Sequence, residues 1–94
     1  MIHIMVRHKV EDFAKWKAAF NVGSEMRAAA SSKKGHIFRE SNDPSMVTVL
    51  SHFDDAGQAQ AFMQSPAMTE AVKASGVIGE PEIFLFGYEE KYVD

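Results

Sequence analysis

The opening residues MIHIMVRH alternate at a period of two, so that Ile2, Ile4 and Val6 fall on one face of a strand while His3, Met5 and Arg7 fall on the other. A later segment, MVTVLSHF from Met46 to Phe53, does the same, with Val47, Val49 and Phe53 on one side and Thr48, Leu50 and His52 on the other. Two such strands commit the chain to a sheet with one oily and one partly polar face, and the oily face has to be covered by something else in the fold.

The cover is legible between the strands. Glu11 and Asp12 stand where a helix N-cap and first turn favour acids, and Phe13, Trp16 and Phe20 then recur at helical spacing as one buried face. Asn21-Val22-Gly23-Ser24 predicts a break before Glu25 to Ala30 resume as helix, and Gly35 opens a second strand, HIFRES. Asn42-Asp43-Pro44-Ser45 is a run of turn formers that joins this strand to MVTVLSHF as a hairpin. Asp54 or Asp55 caps a further helix containing Ala59, Phe62 and Met63, and Ser65-Pro66 restarts it in a new direction. Gly76 ends that segment, and after Gly79-Glu80-Pro81 the run EIFLFGY is the last strand, with 89–94 a charged tail.

The order is β-α-β-β-α-β, a single α+β ferredoxin-like domain over residues 1–94. Its right-handed crossovers put both helices on one sheet face and give the antiparallel strand order 4-1-3-2. Apolar residues on both sides of the last strand, Ile83 and Leu85 against Phe84 and Phe86, imply that the other sheet face is covered too. At 94 residues folding buries only about 60–65% of the unfolded chain's surface, so a second copy of the chain is the cover to expect, making a homodimer.

A formal charge of −3 leaves no basic stripe for nucleic acid, and Lys33-Lys34 is too short to be one. The chain has no cysteine, hence no disulfide, thiolate nucleophile or thiolate metal site, which suits a reducing cytoplasm. No stretch approaches the ~20 apolar residues of a membrane span. None of the glycine-containing loops carries a GxGxxG or GxxxxGK pattern, so nucleotide phosphate cradling has no support.

The polar face supplies the candidate site. A four-residue loop at 42–45 sets Arg39 opposite Thr48, Ile37 opposite Leu50 and Gly35 opposite His52, with Phe38 on the helix-covered side. Antiparallel pairing of the first and third strands sets His3 against His52, Met5 against Leu50 and Arg7 against Thr48. A row of His3, His52, Arg7, Thr48 and Arg39 results. In it His3 or His52 can serve as general base, while Arg7, Arg39 and Thr48 hold a carboxylate, phenolate or enolate. The plainer reading of the same row is a polar strip, hydrogen-bonded in the interface, that fixes dimer register. His3, His36 and His52 do not make a metal site in this register, because His36 points away from His52 and no carboxylate stands at ligand spacing. His8 reads as a solvated loop residue and Trp16, Phe13 and Phe20 as core. Met26, Met63 and Met68 read as gap-fillers, and Tyr88 reads as a residue at a pocket mouth or at the partner subunit.

The opening strand into EDFAKWKAAF, the FRESNDPSMVTVL hairpin, and FDDAGQAQAFMQSP leading into a last strand together resemble the dimeric α/β-barrel superfamily over residues 1–88. That superfamily includes the antibiotic-biosynthesis-monooxygenase-like and stress-responsive barrel proteins. The resemblance implies two ferredoxin-like sheets packed face to face, with a pocket in or beside each. It also implies cofactor-free handling of a small aromatic or carboxylate molecule, as in monooxygenases or cyclases. Neither the Asn, Trp and Arg trio of the monooxygenase branch nor the Asn, Trp and His set of heme-degrading relatives is matched here position by position; Trp16 lies in an apolar helix stripe and Asn21 and Asn42 in breaks or turns, and none is carried over. His3 corresponds loosely to the strand histidine of the cyclase branch. The alternative is a ligand-binding or structural homodimer without catalysis.

Overall fold

The computed structural model describes residues 2–29 and 34–94, without the side chain of Met26. Lys33, Ala30 at the end of the second helical stretch, and the gap-filling role of Met26 therefore lie outside the described residues. Strand β1 (Ile2–Val10) leads into helices α1 (Phe13–Val22) and α2 (Ser24–Ala29). Strands β2 (Gly35–Arg39) and β3 (Met46–Phe53) follow as a hairpin, then helices α3 (Ala56–Met63) and α4 (Pro66–Ala74), and finally β4 (Val77–Gly87). The four strands form one antiparallel sheet in the order β2-β3-β1-β4, the ferredoxin-like arrangement.

The helices start and stop where the sequence punctuates them. The Asp12 carboxylate accepts hydrogen bonds from the backbone N–H groups of Ala14 and Lys15, and the Asp55 carboxylate from that of Gln58, satisfying donors left open in each first turn. Gly23 closes α1 and separates it from α2; Ser65 with Pro66 opens α4, and Gly76 ends it with a φ of 81° that favours glycine.

The core lies between the helices and one sheet face, in two clusters. Ile4 and Phe53 meet Ala59 and Phe62 of α3, while Val10, Val47 and Val49 meet Trp16 of α1. All five strand residues in these clusters occupy the face predicted to be oily.

The β1–β3 register agrees with the sequence-based expectation throughout: His3 faces His52, Met5 faces Leu50, and Arg7 faces Thr48. The β2–β3 register differs by one residue. Arg39 pairs with Val47, Ile37 with Val49 and Gly35 with Ser51, which places Phe38 opposite Thr48 and His36 opposite Leu50. The cause is Asp43. Its carboxylate accepts hydrogen bonds from the Ser45 N–H (3.2 Å) and hydroxyl (2.6 Å), while its carbonyl accepts from the Met46 N–H at 2.9 Å. This side-chain-locked turn draws Ser41 into the loop, and Glu40 donates its N–H to the Met46 carbonyl at 3.1 Å. Because side chains alternate, one extra loop residue turns all of β2 over.

Strand β4 begins earlier than EIFLFGY, at Val77, and carries an irregularity. Arg7 pairs with Glu82 and Lys9 with Ile78, so Gly79, Glu80 and Pro81 stand opposite the single residue His8. Gly79 has a φ of 73°, and Pro81 offers no N–H to the ladder; both suit a bulge.

Candidate functional site: a cavity under the helices

Between the oily sheet face and the helices lies a cavity of about 530 Å³, within the range that holds small organic ligands. Ile4, Val6, Val49 and Phe53 form its sheet side. Trp16 and Phe20 of α1 make one wall, and Phe62, Met63 and Met68 of α3 and α4 the other. The two methionines fill gaps in the core as expected, and they also give the cavity an adaptable wall.

His8 is a buried polar group set among these apolar side chains. It lies within β1, not in a loop, and is 7% exposed; neither ring nitrogen has a hydrogen-bond partner. Its ring stands 5.5 Å from that of Trp16. Burial favours the uncharged imidazole and lowers its pKa below 6.5. The reading of His8 as solvated is thus corrected, and the signal that would have found it was present. Ile2, Ile4, Val6, His8 and Val10 continue a single alternation, so a strand that reaches Val10 points His8 inward. A neutral, buried imidazole offers one N–H donor and one acceptor nitrogen to whatever enters the cavity.

Arg27, which the sequence did not single out, also lines the cavity. Its guanidinium carbon lies 3.6 Å from the centre of the Phe20 ring, and one of its N–H groups donates to the Phe20 carbonyl at 2.7 Å. The break at Gly23 separates α1 from α2, and Arg27 of α2 reaches Phe20 of α1 across it. Burial lowers the Arg27 pKa, and no carboxylate forms an ion pair with it among the described residues.

Of the residues predicted from the sequence, His3, His52, Arg7 and Thr48 lie on the opposite face of the sheet. His3 and His52 touch edge to face with ring centres 4.3 Å apart. His36 joins them on that face, 6.0 Å from His52, contrary to the expected register, and the Tyr88 ring is 5.9 Å from His3. Both nitrogens of His3 and Nδ1 of His52 are buried without partners. Burial, and then the neighbouring positive charges of His3, His36 and Lys34, lower the His52 pKa. Even so, no group of three histidine or acidic side chains among the described residues has the arrangement of a metal site.

Arg7 lies across from Thr48 but is already engaged. Its Nε donates to Glu40 Oε2 at 2.7 Å and another N–H to Glu82 Oε1 at 3.0 Å, and the Glu40 contact is the main reason its pKa is raised. Arg39 does not join the row. The shifted register turns it to the helix side, where its guanidinium lies over the Phe13 ring at 4.3 Å and donates to the Pro44 carbonyl. Phe38 is correspondingly turned out onto the histidine face and is half exposed.

No family profile matches the sequence, and no curated protein matches it. Solved structures do match. SnoaB, a cofactor-independent oxygenase from Streptomyces nogalater, superimposes with a TM-score of 0.80 at 14% identity, over 99% of this chain and 97% of that one. An antibiotic biosynthesis monooxygenase gives a TM-score of 0.72 at 10% identity, over 96% of this chain and 100% of that one. A conserved protein from Methanosarcina mazei Go1 gives 0.65 at 17% identity, over 94% and 92%. At these identities it is the fold that is shared, from end to end. The chain has the ferredoxin-like fold of the antibiotic-biosynthesis-monooxygenase-like proteins.

Proposed function

We propose that this chain binds a small aromatic or carboxylate molecule in the cavity under its helices and transforms it without a tightly bound cofactor, in the manner of cofactor-free monooxygenases or cyclases. The observation that carries the reading is His8, a buried imidazole with two unpartnered nitrogens in a cavity lined largely by apolar side chains. A buried polar group of this kind is costly unless something satisfies it, and a ligand hydroxyl or acidic C–H does so. His8, held neutral by burial, accepts that proton as general base. SnoaB, which shares the fold, is a cofactor-independent oxygenase, and this supports the same reading. The absence of cysteine fits a cytoplasmic setting for it.

A thermal-shift screen of small aromatic and carboxylate compounds tests the proposal, since a ligand that binds only the folded state raises its melting temperature. Ligands at about 100 times their Kd add about 2.7 kcal/mol to stability. A screen in which no compound raises the melting temperature of the wild type, or in which hits stabilise His8→Phe equally, counts against the cavity as the binding site.

A second reading concerns the histidine face, and a specific observation favours it. Phe38, Phe84 and Phe86 are 51%, 42% and 44% exposed there, and β4 is an edge strand with Ile83 and Leu85 also exposed on its reverse. So large an apolar surface on a small domain suits a second copy of the chain. In this homodimer the strip of His3, His52, Arg7 and Thr48 fixes register and does no chemistry, which accords with Arg7 being neutralised by Glu40 and Glu82. Sedimentation equilibrium should find a dimer at micromolar concentration and a monomer for Phe84→Asp. A wild-type monomer under those conditions overturns it.

A further inference from the structure

We infer that the cavity selects ligands bearing an anionic group, with Arg27 as the residue that holds that group; the inference rests on the cavity being the binding site. Arg27 is the cation set deepest among the charged side chains of the lining, since Lys73 and Glu80, the other two, are exposed. A partly buried guanidinium normally has a carboxylate partner, because leaving its charge unpaired is costly. Arg7 of this same chain has two such partners. Arg27 has none among the described residues; one of its N–H groups is used on the Phe20 carbonyl, leaving the remainder of its five donors for another acceptor.

The surroundings of Arg27 also specify what the rest of the ligand looks like. The guanidinium stacks on Phe20 at 3.6 Å, Phe20 stacks on Trp16 at 5.1 Å, and Trp16 meets His8 at 5.5 Å. An unbroken aromatic wall therefore runs from the cation to the neutral imidazole. A flat apolar body lies against such a wall, with a carboxylate or other anion at the Arg27 end and a hydrogen-bonding group at the His8 end. Stacking on Phe20 fixes the guanidinium plane, so it meets a carboxylate with little further ordering.

The probes are 2-naphthoate and its uncharged counterpart 2-naphthamide, titrated by calorimetry at pH 7.5 into the full chain. The wild type should bind the acid at least about 10-fold more tightly than the amide, the worth of one charge-assisted contact. Arg27→Gln should bring the two affinities within about twofold of one another by weakening the acid alone, and Arg27→Lys should restore part of the preference. Equal wild-type affinities overturn the assignment while leaving the cavity as a binding site, and a preference that survives Arg27→Gln places the anion elsewhere and also overturns it. If neither probe binds, while other uncharged aromatics stabilise the protein in the thermal-shift screen, the selection for anions is refuted; if nothing binds at all, the cavity reading falls with it. Circular dichroism of each variant confirms that the comparison is between folded proteins, and Arg27→Lys carries the test if Arg27→Gln fails to fold.

Discussion

Phe53→Ala should lower the free energy of unfolding by about 3–5 kcal/mol. Phe53 is 1% exposed, its ring lies 5.5 Å from that of Phe62, and it joins Ile4 of β1 to Ala59 of α3 in one cluster. It is also the last residue of β3, so it fixes where the chain leaves the sheet to begin α3. Truncation removes the ring's burial and opens a void continuous with the cavity, which solvent or neighbouring side chains fill only in part. A domain of this size has about 5–15 kcal/mol of stability in all, so the loss is a large fraction of it. Urea denaturation followed by far-ultraviolet circular dichroism measures the change. A loss below about 1 kcal/mol would mean that the sheet and α3 are not tightly packed at Phe53.

Why some of this architecture was readable beforehand and some was not comes down to what each feature depends on. The β1–β3 pairing was readable because both strands alternate over their whole length, and slipping either by one residue would bury His3 or His52 in place of Ile4 and Phe53. The helix boundaries were readable because Asp12, Asp55 and Ser65-Pro66 act through bonds to their own neighbours. The β2–β3 register was not, because it turns on whether the Asp43 side chain draws five residues or four into the loop. That small uncertainty carried Arg39 to the wrong face and left Phe38 and His36 on the wrong sides of the sheet.

The cavity residues were hidden for other reasons. His8 stands between Arg7 and Lys9, and a run of basic residues looks like a solvated strand end. Its burial depends on β1 continuing to Val10, which in turn depends on the bulge at Gly79-Glu80-Pro81 across from it. Arg27 gains its place only when the break at Gly23 lays α2 against the end of α1, a tertiary event with no local pattern of its own. The candidate row on the polar face was therefore assembled from the readable part of the fold, while the cavity formed from the part set by packing.

The side-by-side turnover of His8→Gln and His52→Gln, with a compound found in the thermal-shift screen, bears most directly on where the chemistry resides. In the proposed function His8 takes a proton from a bound molecule, and losing such a base lowers rate by about 10²- to 10⁴-fold. Because burial lowers its pKa below 6.5, the wild-type rate should be flat above that pH and fall as pH drops through the lowered value. The same shift makes the unfolded state bind more protons than the folded one in acid, so His8 reduces stability progressively as pH falls below about 6.5. His8→Gln should lose about 10²- to 10⁴-fold in rate together with this ionisation, while folded His52→Gln should turn over as the wild type does. Loss of turnover in His52→Gln with His8→Gln unaffected would contradict this and move the chemistry to the opposite face of the sheet.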